Sequence, residues 1–171
     1  MSTPGDGLNG RLAPLAVGRR APELALPQAP NSTLRLRGLV NLAVILAFYP
    51  MDWEPVSREQ LTLYQSYADA FDRLSVRLLA ISVDHVHCHE AFARDAQLHF
   101  PLLADFQPRG LVARRYGVYR EPRGVSARAL FVLDAKHVIR FGKVYSDQLN
   151  PGVDELLTTL EALAAGDEPT S

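Results

Sequence analysis

The stretch FYPMDWEPVSREQ, Phe48 to Gln60, decides the fold. Two prolines, Pro50 and Pro55, interrupt it between an apolar run that ends at Phe48 and an amphipathic run that begins near Ser57. Proline is tolerated in the first turn of a helix and poorly inside a strand, so the chain leaves a strand here and enters a helix. Working outward, NLAVILAF (Asn41 to Phe48) is apolar, β-branched and bounded by turn signals, which predicts a mid-sheet strand buried on both faces. Downstream, Leu61, Tyr64, Ala68 and Phe71 recur at spacings of three and four, which predicts one helix from Ser57 to about Phe71. RLLAISV (Arg77 to Val83) reads as a second buried strand. Asp84 then offers an N-cap to a helix running through Phe92 to about Gln97.

The β-α-β-α alternation gives way after FPLLAD. PRGLVARRYG (Pro108 to Gly117) carries proline at its start and glycine at its end, the signature of a short helix. RALFVLD (Arg128 to Asp134) and VIRFGKVY (Val138 to Tyr145) are strands joined closely enough for an antiparallel hairpin, and PGVDELLTTLEALAA closes the chain as an amphipathic helix. Residues 1–19 read as an irregular N-terminal segment, LALP as an edge strand, and 166–171 as a disordered tail. The expected fold is α/β: a single domain over 1–171, thioredoxin-like, with a mixed central sheet flanked by helices.

Composition narrows the function. A net charge of -1 and the lack of any like-charge run give no global attraction to nucleic acid or to an anionic membrane. The longest apolar run, LVNLAVILAFYP, is too short to span a bilayer and the N-terminus lacks a secretory apolar block, so the expected location is cytoplasmic. One cysteine, Cys88, excludes an internal disulfide and a CxxC pair.

FYPMDWEPVSREQ resembles the active-site segment of the peroxiredoxins, in which a strand ends in Phe-Tyr/Phe-Pro and a Pro-x-x-x-Thr/Ser-x-x-Cys motif opens the next helix. Pro50 matches the motif's proline. RALFVLD resembles the strand whose leading arginine completes that site, which assigns the role to Arg128. ISVD, FPLLAD and ARRYGVY follow in the family's order, and the similarity runs from about Arg20 to Ala164, closest to the alkyl hydroperoxide reductase and thiol-specific antioxidant branch. The resemblance implies a thiol peroxidase acting on hydrogen peroxide or alkyl hydroperoxides. It also implies a thiol reductant such as a thioredoxin-like protein, a homodimer partner, and no cofactor. Two positions depart from the motif: Glu54 stands for the Thr/Ser and Ser57 for the peroxidatic cysteine.

A thiolate at a helix N-terminus, stabilised by free N–H groups and a nearby arginine, attacks one peroxide oxygen and becomes a sulfenic acid. Serine has neither the acidity nor the oxidation states, so no peroxidatic turnover is expected at Ser57, whether the serine is natural or engineered. Ser57 and Gln60 also fit a capping box, with Ser57 Oγ accepting from the Gln60 N–H and the Gln60 side chain returning to Ser57. Glu54 reads either as an active-site wall or as a solvated acid. Trp53 and Tyr49 read as packing residues.

Cys88, in the first or second turn of its helix, reads as a resolving cysteine without its partner or as a small buried hydrophobe, its thiolate modestly favoured by the helix dipole. His85, Cys88 and His89 fall at helical spacings that suit metal ligation, with His87 pointing elsewhere. Three functions follow: a peroxiredoxin with its reactive thiol replaced, a non-catalytic relative working in redox sensing or partner binding through Cys88, or a metal-binding module.

Overall fold

A computed structural model describes residues 11–166; the expectations for residues 1–10 and for the tail beyond Gly166 lie outside the described residues. In chain order the elements are β1 (Ala25–Ala29), β2 (Ser32–Arg35), β3 (Ala43–Phe48), α1 (Pro55–Ser66), α2 (Ala68–Arg73), β4 (Val76–Ser82) and α3 (Val86–Ala96). There follow β5 (Leu102–Ala104), α4 (Leu111–Arg115), β6 (Tyr119–Arg120), β7 (Val125–Ser126), β8 (Arg128–Leu133), β9 (Ile139–Tyr145) and α5 (Asp154–Ala164). Five strands make the central sheet in the order β5-β4-β3-β8-β9, with β3, β4 and β5 parallel and β8 antiparallel to both β3 and β9. This is the mixed, thioredoxin-like arrangement expected from the alternation of elements.

The central strand explains the sheet's two-faced core. Along β3, Val44, Leu46 and Phe48 face one layer, where they meet Leu24, Leu36, Tyr116 and Phe131; Ile45 and Ala47 face the other, with Leu61, Tyr64, Phe92 and Leu156 from the helices. All of these are at most 1% exposed, and each fully buried Leu or Phe side chain contributes about 1.5–3 kcal/mol. A strand covered on both sides has no polar alternation to show, which is why it reads as a continuous apolar run.

Several local expectations are corrected. The helix anticipated from Ser57 to Phe71 begins at Pro55 and breaks at Tyr67 (φ -100°, ψ 7°), where Ser66 Oγ donates back to Leu63 O and bends the turn. LALP supplies the start of an edge strand, β1, which pairs with β2 in a two-stranded ribbon separate from the main sheet. The helix expected from Pro108 covers only Leu111–Arg115, because Gly110 sits at φ 69° and the buried Asp105 carboxylate accepts from the Val112 and Ala113 N–H groups. Residues 11–19 hold no helix or strand, and Ala13 N donates to Gly117 O and Gly18 N to Ile139 O, tying the segment down. The β8–β9 hairpin closes on Asp134, whose Oδ1 accepts from Lys136 N and Val138 N. Among the described residues no helix is long and apolar enough to cross a membrane.

Candidate functional site

Sheet register brings the site together. Phe48 ends β3 opposite Ile81 of β4 and Ala129 of β8, so the chain leaves the sheet beside Arg128, the first residue of β8. The loop starts at the buried Pro50 and passes through Trp53, held at φ 66°, before α1 begins at Pro55. Arg128, 71 positions from Ser57 in sequence, donates from Nη1 to Ser57 Oγ at 3.2 Å.

Glu54, not Ser57, is the N-cap of α1. Its Oε1 accepts from Val56 N (2.9 Å) and its Oε2 from Ser57 N (2.7 Å), so two free amides of the first turn end on this carboxylate. The anticipated Ser57–Gln60 capping box is therefore absent: Ser57 is the third residue of the helix, inside the first turn. Gln60 instead accepts from Arg128 Nη1 at 2.8 Å and donates to Tyr64 Oη at 3.1 Å. Ser57 Oγ donates to Glu54 Oε2 at 2.6 Å, and the same oxygen takes Arg128 Nη2 at 2.9 Å. The arginine is completed by the Asp147 carbonyl, which accepts from Nε (3.3 Å) and Nη2 (2.8 Å).

Arg128 and Ser57 are fully buried, while the Glu54 side chain is 24% exposed. Partial burial alone would raise the Glu54 pKa. Hydrogen bonds from Ser57 Oγ, from the Val56 and Ser57 amides and from Arg128 outweigh that and hold it below the usual carboxylate range. The result is a closed set: one anion, supplied by the chain itself, occupies the donors at a helix N-terminus and neutralises a buried guanidinium. Gln60 and Asp147 entered the sequence reading only as a cap partner and not at all, respectively; nothing in their spacing marks them, since both are recruited by the position of Arg128.

A second buried network lies under the loop. Tyr49 Oη donates to Asp52 Oδ1 (2.7 Å), Asp52 Oδ2 meets His89 Nδ1 (2.8 Å), and His89 Nε2 meets Leu103 O (3.1 Å). Asp52 N donates to Asp84 Oδ2 at 2.9 Å, and Ser82 Oγ donates to the same oxygen at 2.6 Å. Asp84 is thus committed to the loop and does not cap α3 as expected; the His85 side chain does, accepting from His87 N at 3.3 Å. Both ring nitrogens of His89 are engaged in the interior, so His85, Cys88 and His89 do not form the ligand set their spacing suggests. His87 points away, toward Glu90. Asp52, Asp84 and Cys88 do bring one ligand atom each within 4.8 Å of one another, although both Asp52 oxygens are already bonded.

Cys88 is a partly buried free thiol beside this network. Burial first, then hydrogen bonding and charge from Asp52 and the charge of Asp84, push its pKa up to about 11, against the modest lowering expected from the helix dipole. Thiolate scarcity sets its reactivity. Alkylation by iodoacetamide is expected to run roughly a hundredfold or more slower at pH 7.5 than that of a free cysteine of pKa about 8.5, and to climb about tenfold per pH unit toward pH 11. A rate that levels off near pH 8.5 would refute this environment.

With this geometry in place, the likeness to known proteins is informative. Residues 17–141 match the model of the AhpC/TSA family. Alkyl hydroperoxide reductase E of Mycobacterium tuberculosis is 34% identical over 154 residues, 88% of this chain and 97% of the relative. Peroxiredoxin of Thermoplasma volcanium is 26% identical over 156 residues, 88% and 75% of the two chains. Among solved structures, Mycobacterium tuberculosis AhpC superposes with a TM-score of 0.81 at 21% identity, covering 92% of this chain and 98% of that one. Plasmodium vivax 2-Cys peroxiredoxin in its reduced form gives 0.78 at 26% identity, covering 89% and 83%. The chain belongs to the AhpC/TSA family, the peroxiredoxins.

Proposed function

We propose that this chain is a peroxiredoxin-family protein that does not reduce peroxide at residue 57, a non-catalytic relative of the family's thiol peroxidases. The observation that carries this reading is the Glu54 carboxylate, whose Oε2 accepts from Ser57 N, Ser57 Oγ and Arg128 Nη2 together. In a thiol peroxidase those donors face a thiolate and a hydroperoxide. Here they face an internal carboxylate, and the hydroxyl oxygen at position 57 has no accessible higher oxidation state, so it cannot give two electrons to a peroxide as a thiolate does. Hydrogen peroxide, organic hydroperoxides and a thiol reductant, which the family resemblance implies, are on this reading not turned over. The raised thiol of Cys88 supports the same reading, since the only sulfur nucleophile in the sequence is largely protonated at neutral pH.

The test is peroxide consumption with dithiothreitol as reductant, followed for the wild-type chain and for Cys88→Ser. Both are expected to match the uncatalysed background, with cumene hydroperoxide as with hydrogen peroxide. Rapid thiol-dependent consumption that persists in Cys88→Ser would overturn the proposal, because it would place catalysis at the closed site.

A further inference from the structure

The closed site occupies the end of the sheet where β3 leaves and β8 enters. At the other end, about 20 Å away along the six residues of β3, a surface pocket of about 290 Å³ opens between three segments. They are residues 20–23 ahead of β1, residues 36–41 between β2 and β3, and residues 135–137 in the turn from β8 to β9. Hydrogen bonds tie each segment to the other two. Ala21 N donates to His137 O at 2.9 Å, and Arg37 N donates to both oxygens of Glu23 at 3.2 and 3.1 Å. His137 Nε2 donates to Leu39 O at 2.9 Å, since a carbonyl can only accept. The shape of the pocket is thus fixed by the chain itself.

Each segment also brings one cation to the lining. These are Arg20, Arg37 and Lys136, set against a single carboxylate, Glu23. All three cations are exposed, and among the described residues their side chains make no hydrogen bond or ion pair. Asp134, in the adjoining turn, is spent on Lys136 N, Val138 N and Arg140 Nε. Composition does not account for this excess of positive charge, because the chain as a whole carries -1. Like charges around a concave surface focus a potential that draws in an ion of the opposite sign. Arginine offers a planar fork that takes two oxygens of one group at once, and lysine adds a compact charge. Two forks and one ammonium suit a group carrying close to two negative charges on several oxygens, as a phosphate monoester does near neutral pH. Val40, 67% exposed, and Asn41 line the same pocket and give a neutral, partly apolar body a place to rest. The volume lies at the small end of ligand pockets and fits one small molecule, whereas a nucleic-acid strand needs a groove that follows its backbone.

We propose that this pocket binds a small phosphorylated molecule, its phosphate held by Arg20, Arg37 and Lys136 and its neutral part against Val40.

The test is isothermal titration calorimetry of the full chain at low ionic strength with pyrophosphate, AMP and adenosine. Pyrophosphate and AMP are expected to bind saturably, one per chain, and adenosine, which lacks the phosphate, to give no binding. The double variant Arg20→Gln, Arg37→Gln should weaken AMP binding by about tenfold or more. Arg94→Gln removes an exposed cation from α3, outside the pocket, and should leave AMP binding within about twofold of wild type. The substituted side chains are exposed, so all variants should keep the wild-type Tm. Failure of either anion to bind, unchanged binding in the double variant, or an equal loss in Arg94→Gln would refute the proposal. So would binding of phosphatidic acid vesicles or of a polyuridylate strand without binding of AMP, since a membrane or a nucleic acid would then own the pocket. None of these outcomes depends on the peroxide assay.

Discussion

Replacing Arg128 by methionine is expected to lower the unfolding free energy by about 3 kcal/mol, visible as a roughly 6–12 °C fall in Tm or a matching shift of the urea midpoint. The guanidinium is fully buried and distributes hydrogen bonds to Ser57, Gln60, Glu54 and the Asp147 carbonyl. Methionine fills similar space but leaves those acceptors facing a thioether. Breaking a buried ion pair by deleting one partner generally costs about 3–5 kcal/mol; the low end applies here because Glu54 is 24% exposed and can take up water. Glu54→Gln gives the complementary profile. The folded-state pKa of Glu54 lies below its ordinary value, so the charge stabilises the fold above about pH 4.5, and that contribution is lost as the pH falls through the lower folded value. The stability gap between wild type and Glu54→Gln should therefore be widest near neutrality and close in acid. A loss below about 1 kcal/mol for Arg128→Met, or a gap independent of pH, would show that the closed set contributes nothing to the fold.

Legibility in the sequence followed the physics of each feature. The central strands could be read because burial on both faces leaves an uninterrupted apolar run, and the approach of Ser57 to Arg128 was anticipated through family resemblance rather than spacing. What stayed hidden were short elements and side-chain choices. β2, β5, β6 and β7 span two to four residues each, too few for any period to emerge. The caps were misassigned in α1 and α3 for one reason: Ser57 and Asp84 are good capping types, but each was claimed by other bonds, Ser57 by Glu54 and by the distant Arg128. Ser57 donates to Glu54, and Asp84 pins the backbone of Asp52. Propensity names residues able to cap; only the packed loop decides which is free to do so. The histidine spacing misled similarly, because His89 is turned inward to Asp52 and Leu103 while His85 stays outside the helix as its cap.

The second large effect concerns what a thiol at position 57 would do. Ser57→Cys alone is expected to be a poor peroxidase, and Ser57→Cys combined with Glu54→Thr to consume peroxide on the order of a hundredfold faster at pH 7. The reason is electrostatic. The oxygen of Ser57 lies 2.6 Å from Glu54 Oε2, so a sulfur placed there would have to ionise against a carboxylate that already holds the Arg128 Nη2 and Ser57 amide donors. Two like charges about 4 Å apart at an effective dielectric near 20 repel by about 4 kcal/mol, or roughly three pKa units; partial exposure of Glu54 reduces this to about two. Threonine at position 54 removes that charge and returns the amides and the guanidinium to the sulfur. The thiolate can then attack one peroxide oxygen, releasing the alcohol or water and leaving a sulfenic acid that two equivalents of dithiothreitol thiol reduce. The thiol pKa at position 57, followed by thiolate absorbance near 240 nm in a Cys88→Ser background, supplies the independent readout, and it should fall between the single and the double variant. If the single substitution already restores full turnover, Glu54 does not close the site, and the serine alone separates this chain from a working thiol peroxidase.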